Sequence, residues 1–253
     1  MMTEPLFRFI RRAATFCVML IALTPAAACQ QTIQRAAPEA QAAPAASSSP
    51  AAGHGVIWKE IPDKVDRNAK YLFYLHGIIV ENYGIRPTSP EHGVYEYEQI
   101  LETLAGKGFI VISEARPRGT IVTEYAAKVV GQINKLLAAG VAPQHVTVVG
   151  ASRGGGIAIA VSSSLRNKDV NFVIMAACSD SDIYKTFKPD LWGNVLSIYD
   201  YKDTVGPCGQ FYARATGLNR HREIVVRLGI GHGLLYRPYK EWVDPVVEWA
   251  NQS

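Results

Sequence analysis

Little in this sequence points to a charged or metal-bound partner. Charged residues make up only 19% of the 253, and they leave a formal net charge of +4, part of it carried by Arg8, Arg11 and Arg12. No basic run is interleaved with aromatic residues, so no nucleic-acid partner is expected. The six histidines and four cysteines fall into no zinc-ligand spacing, and no glycine loop has the pattern of a nucleotide-phosphate cradle. Neither a metal nor a cofactor is therefore expected. No internal repeat stands out, and the early apolar run at Phe16–Leu23 is too short to be a comfortable membrane span. What is present, at 48% hydrophobic residues, is the composition of a globular protein with one sizeable core.

Residues 1–29 have the organisation of a bacterial export signal. A positive segment with Arg8, Arg11 and Arg12 precedes the apolar run, and Ala26-Ala27-Ala28-Cys29 follows it. Small residues leading to a cysteine resemble the lipobox of bacterial lipoproteins, although such boxes usually carry leucine where Ala26 stands. This resemblance implies lipid attachment at Cys29 and a protein anchored to a membrane of the cell envelope, facing the periplasm. Ordinary cleavage in the same alanine run, releasing a soluble secreted protein, is the alternative. Residues 30–55 are rich in Ala, Pro, Gln and Ser and show no periodic apolar face. Nothing there offsets the entropy of ordering, so the segment is expected to be a disordered tether, with a root-mean-square reach on the order of 25–30 Å.

The folded domain is expected over residues 56–253. Apolar runs at 56–61, 71–75, 109–113, 146–149, 170–177, 195–199 and 224–228 read as strands. Helical spacing appears at 95–107, 120–137 and 238–251. Strands apolar throughout and separated by helices imply a doubly wound, mostly parallel sheet covered on both faces, in the α/β class.

One stretch carries most of the functional information. Gly150-Ala151-Ser152-Arg153-Gly154 reads G-x-S-x-G, with a β-branched strand before it and the small, apolar run Gly155–Val161 after it. A serine on a tight strand-to-helix turn is held exposed, and the backbone N–H groups of the new helix are available to a developing oxyanion. Such a serine needs a base, an acid to orient the base, and oxyanion donors. His232, in Gly229-Ile230-Gly231-His232-Gly233, is the best-placed base, because it follows a late strand in a flexible loop. His54, His92, His145 and His221 lie in the tether, in an outer loop or at the wrong ends of strands, and His76 precedes the serine. Asp203 is the leading candidate for the acid, with Asp200 as its near rival and Asp180 and Asp182 as more distant ones. The backbone N–H groups of Arg153 and Ile78 are the expected oxyanion donors, with His76 and Gly77 bracing the turn that carries Ile78.

His76-Gly77 after an early strand, the Ser152 turn, Asp203-Thr204-Val205 and His232, in the order Ser, Asp, His, resemble the α/β-hydrolase superfamily. The resemblance covers essentially all of 56–253. Phe109 to Arg116 also resembles a segment where many members carry an Asp, here replaced by Glu114. The N-terminal strands look abbreviated, and the insert between Cys178 and Gly193 is too short for a large cap. The resemblance implies a small serine hydrolase acting on a small-molecule or lipid-like carboxylic ester, less readily on an amide, through an acyl-serine. An acyltransferase with the same triad, or a non-catalytic envelope lipoprotein that uses the fold for binding, are the alternatives.

Three further expectations concern the surroundings. Arg86, Arg116, Arg118 and Arg153 could gather near the cleft and favour an anionic substrate, or simply be solvated. Tyr83, Tyr95, Tyr97 and Trp192 could line the pocket, or pack elsewhere. Cys178 closes one strand and Cys208 follows the next, so in a parallel sheet both emerge at the same edge. Neighbouring strands lie about 4.8 Å apart, close enough for a disulfide between the two in an oxidising compartment.

Overall fold

The computed structural model describes residues 55–178, 184 and 187–252. Residues 1–54 lie outside them, and with them the export signal, Cys29 and almost all of the tether; so do Asp180 and Asp182.

In chain order the elements are β1 (Ile57–Trp58), β2 (Lys70–Leu75), α1 (Ile78–Tyr83), β3 (Thr88–Ser89), β4 (Gly93–Val94), α2 (Tyr97–Gly106), β5 (Phe109–Ile112), α3 (Val122–Ala138), β6 (Val146–Ala151), α4 (Arg153–Leu165), β7 (Asn171–Met175), β8 (Trp192–Asp200), α5 (Gly209–Tyr212), β9 (Gly217–Val226) and α6 (Lys240–Asn251). Seven strands form one sheet in the order β1-β5-β2-β6-β7-β8-β9, and every neighbouring pair is parallel. β3 and β4 form a separate antiparallel pair. This is the expected doubly wound α/β architecture, and it is that of the α/β-hydrolase fold.

Period-2 alternation sorts the strand residues between two cores. Tyr71, Phe73 and Leu75 of β2 face the core shared with α3 and α4, whereas Leu72 and Tyr74 face the core shared with α2 and α6. α3 reaches its core through Val122, Ala126, Val129, Ile133 and Leu136, a single helical stripe. α4 is different. Its residues from Gly154 to Ser162 are buried without a break, because they are small enough to press against the sheet on one side and α3 on the other. α6 closes the opposite face with Trp242, Val243, Val246 and Trp249.

From β2 the chain first moves to β5 on one side, then returns to β6 on the other. The strand order therefore reverses between β2 and β6, and a crevice forms outside their carboxyl ends. His76-Gly77 and Ser152 emerge at that crevice.

Three departures from the sequence expectations have simple causes. β1 is only two residues long, at the sheet edge, pairing with β5 alone. The last strand begins at Gly217, not Ile224, so His221 lies inside it, paired with Val195; as the outermost strand it tolerates polar residues that mask its amino half. The short elements α1, α5, β3 and β4 lack the length for a periodic signal.

Cys178 and Cys208 form a disulfide, and both are buried. It joins the chain just past β7 to the end of the segment that follows β8. With the two cysteines 30 positions apart in sequence, the chain-entropy model gives a stabilisation of about 3–4 kcal/mol. Reduction, or Cys178→Ser with Cys208→Ser, should lower the denaturation free energy by that order, measured by urea unfolding with and without reductant. An unchanged midpoint would mean that the bond leaves the unfolded chain unconstrained.

Candidate active site

Ser152 sits where β6 ends and α4 begins, at φ 54° and ψ −119°. A non-glycine residue in such a region costs about 1–3 kcal/mol and persists only where its surroundings hold it there. Here they do. The Ser152 N–H donates to Met175 O at 2.8 Å, and its carbonyl accepts from Gly156 N at 3.1 Å. The neighbouring glycines are needed for close approach. A Cβ at Gly150 would lie 2.2 Å from Gly154 O, one at Gly154 would lie 1.9 Å from Leu75 O, and one at Gly155 would lie 2.4 Å from Ala177 Cβ.

The turn aims Ser152 Oγ at His232. His232 Nε2 lies 2.9 Å from Ser152 Oγ, and His232 Nδ1 lies 2.8 Å from Asp203 Oδ2. Asp203 Oδ1 accepts from Val205 N at 2.9 Å. The three residues come from the ends of β6, β8 and β9. The Asp203 side chain is 1% exposed and that of His232 30%, so the carboxylate is dry while the imidazole reaches solvent. With Nδ1–H donated to the carboxylate, Nε2 is left as the acceptor for the serine proton.

Asp200 has another task. One oxygen accepts from Lys202 N and Gly231 N, both at 3.0 Å; the other accepts from Leu228 N at 3.0 Å and Gly229 N at 2.9 Å. It thus fastens the His232 loop to the end of β8 and is not bonded to the imidazole. Burial by itself raises its pKa, but the four N–H donors outweigh burial and hold the carboxyl below the usual carboxylate value.

Ile78 is the first residue of α1 and Arg153 the first of α4, so neither backbone N–H has an acceptor within its helix. Gly77, which precedes Ile78, lies close to Ser152: a Cβ there would be 3.7 Å from Ser152 Cβ. His76 is fully buried. Its Nε2 accepts from Arg116 N at 2.8 Å, which leaves the proton on Nδ1, 2.9 Å from Gly77 O. Burial and the adjacent Arg116 push its pKa down to about 3, so it remains neutral and braces the turn.

The four arginines do not gather as free anion ligands. Arg116 donates from Nε to Glu81 Oε1 at 2.9 Å and also hydrogen-bonds His76 O. Arg153 Nη2 reaches Thr120 O at 2.5 Å and its Nε stands 3.3 Å from Glu81 Oε2. Arg118 bonds Asn82 O, and Arg86 is exposed. Glu114 pairs with Lys128 at 2.5 Å. Glu81 is a site residue that the sequence pattern does not flag, since its partners stand 35 and 72 positions away; a lone acid beside the His76-Gly77 turn is the only signal.

The aromatic residues also divide. Tyr95 and Tyr97 are buried; Tyr95 shares a 2.8 Å hydrogen bond with Tyr74, and Tyr97 bonds Ser113 at 2.7 Å. Burial pushes both phenols up to about 12. Tyr83 is 73% exposed. Trp192 begins β8 and so lies at the amino end of the sheet, opposite the site; it cannot line the pocket. A cavity of about 540 Å³ opens beside the His232 loop, walled by His92, Lys202, Gly231, Gly233, Arg237 and Tyr239.

No protein-family model matches the sequence, and no curated protein matches it. Solved structures do. SOBER1 of Arabidopsis thaliana is 12% identical, with a TM-score of 0.47, over 72% of this chain and 99% of that one. The Francisella virulence factor BioJ is 12% identical, with a TM-score of 0.49, over 76% and 79%. A hyperthermophilic esterase from Pyrobaculum calidifontis is 16% identical, with a TM-score of 0.45, over 74% and 77%. Likeness at these identities is one of fold.

The two aspartates should separate experimentally. Asp203→Asn presents the wrong tautomer of His232 and should lower turnover by about 10⁴, with little effect on stability. Asp200→Asn should instead destabilise the fold. Because the folded Asp200 pKa is depressed, its contribution is fully present above the unfolded value of about 3.9 and is lost as pH falls through the folded one. The wild-type advantage over Asp200→Asn in urea midpoint should therefore shrink as pH drops below about 4. An advantage independent of pH would refute the carboxylate's role.

Proposed function

We propose that the protein is a serine hydrolase that cleaves a carboxylic ester. One observation carries this reading: the unbroken line of hydrogen-bonding atoms from Ser152 Oγ through His232 to Asp203, set on a strained turn beside two helix-opening N–H groups. Ser152 Oγ attacks the ester carbonyl and gives its proton to His232 Nε2. The carbonyl oxygen becomes an oxyanion that accepts from Ile78 N–H and Arg153 N–H. His232 then protonates the departing alkoxide, leaving an acyl-serine. Water, deprotonated by the same imidazole, attacks that acyl group; the bond from Ser152 Oγ to the acyl carbon breaks, the acid leaves, and His232 returns the proton to Ser152 Oγ. Asp203 holds the imidazole tautomer throughout and stabilises its charged form.

Ser152→Ala should abolish ester hydrolysis and labelling by a fluorophosphonate probe while leaving the fold intact, since loss of such a nucleophile costs several orders of magnitude in rate. The test is turnover of short acyl esters together with mass mapping of the labelled peptide. Near-wild-type turnover in Ser152→Ala would reject the reading.

We further propose that the protein works in the bacterial cell envelope, anchored by lipid at Cys29. The Ala26-Ala27-Ala28-Cys29 run supports this, and the Cys178–Cys208 disulfide accords with an oxidising compartment. The intact mass of the mature N-terminal peptide should correspond to acylated Cys29. A mature terminus beyond Cys29 without lipid would indicate a soluble secreted protein.

A further inference from the structure

The two proposed oxyanion donors belong to different pieces of chain. Ile78 N–H opens α1, after β2, and Arg153 N–H opens α4, after β6. The sheet fixes Leu75 beside Gly150, but both donors lie beyond the last hydrogen-bonded strand residues. Their spacing must be set by something else.

Glu81 lies in the first turn of α1. Its Oε2 is 3.3 Å from Nε of Arg153, and its Oε1 is 2.9 Å from Nε of Arg116. Arg116 in turn holds the His76 carbonyl through its side chain and the His76 ring through its backbone N–H. One carboxylate therefore connects the helix carrying the first donor, the residue carrying the second, and the turn between them. We infer that Glu81, with Arg153 and Arg116, is a positioning clamp that sets the geometry of the oxyanion hole. The inference rests on the serine-hydrolase reading above.

Two further observations support it. The Glu81 and Arg116 side chains are 1% and 0% exposed. Buried ion clusters are poor stabilisers compared with apolar packing of the same volume, so a cluster in this place is better explained by the geometry it imposes. The charges also do not balance. Among the described residues, two guanidinium groups share one carboxylate, and Arg116 Nη1 and Arg153 Nε are buried without a hydrogen-bond partner. The Arg153 guanidinium therefore has no carboxylate of its own, and its hold on Glu81 ties the start of α4 to α1.

Arg153→Met is the decisive variant. It keeps the Arg153 N–H, leaves the Glu81–Arg116 pair intact and alters a side chain that is 23% exposed. The full-length protein should be assayed for kcat and KM on a short p-nitrophenyl ester, for the rate of Ser152 modification by a fluorophosphonate, and for the titre of reactive Ser152. Displacing an oxyanion donor should lower both kcat and the modification rate by about 10- to 100-fold, with KM and titre unchanged. Arg153→Lys, which retains a cation for Glu81, should recover part of the loss. Glu81→Gln should show the same kcat-specific defect, and the double variant Glu81→Gln/Arg153→Met should be less impaired than the product of the two single effects. Wild-type kcat and modification rate in Arg153→Met, or a loss seen only as reduced titre, would overturn the clamp while the hydrolase reading stands. A wild-type protein whose Ser152 resists the probe and which hydrolyses no ester would overturn both.

Discussion

The close approach of three backbone segments at the carboxyl ends of β2, β6 and β7 is the constraint on which the rest of the site depends. Gly154 lies so near Leu75 and His76, and Gly155 so near Ala177, that no side chain fits between them. This crowding gives Ser152 its positive φ and directs its hydroxyl away from the sheet. It also seats α4 low against the strands. The unbroken burial of its first three turns, the run of glycine and alanine, and the position of the Arg153 N–H all follow from one packing distance. A bulkier α4 would lift away from the sheet, and the serine would relax into ordinary helix-start geometry.

The two aspartates at the end of β8 show how one loop separates positioning from chemistry. Asp200 accepts from backbone donors of its own loop and of the loop after β9, and so fixes where the His232 loop runs. Asp203, three residues on, receives a backbone hydrogen bond from Val205 and offers its other oxygen to the imidazole. The two are linked directly, because Asp203 N donates to Asp200 O at 2.8 Å. A carboxylate saturated by backbone donors has no lone pair to spare for a histidine, which is why the strand-terminal aspartate is unsuited to orient the base.

What could be read in the sequence was whatever depended on local pattern. The buried strands at Tyr71–Leu75 and Val146–Val149 are continuous apolar runs, and the Ser152 turn is announced by its glycines. The amino half of β9 carries no apolar pattern because an outermost strand can expose Asn219, His221 and Arg222. For Trp192 the sequence leaves pocket lining and packing elsewhere open: β8 begins three residues earlier than its apolar core at Val195 suggests, and this puts the residue at the opposite end. Choosing between Asp200 and Asp203 required knowing which backbone N–H groups each meets. Glu81 was invisible, since nothing in a short helix after a turn states that an arginine 72 residues later will lie 3.3 Å away.

The loop that carries Asp203 is held at both ends. At its start, Asp200 binds Lys202 N and Asp203 N closes back on the Asp200 carbonyl. At its far end, Cys208 is bonded to Cys178, and Cys208 N donates to Glu223 Oε2 at 2.7 Å. Glu223 is fixed in turn by Ser197 of β8 at 2.8 Å. Asp203 is therefore anchored to the sheet through β7, β8 and β9 together. Its place beside His232 follows from bonds within the sheet and its edge loops, and needs no covering domain. Among Ser152, Asp203 and His232, the aspartate is the one tied most firmly to the strands, and it is buried while Ser152 and His232 are left partly exposed.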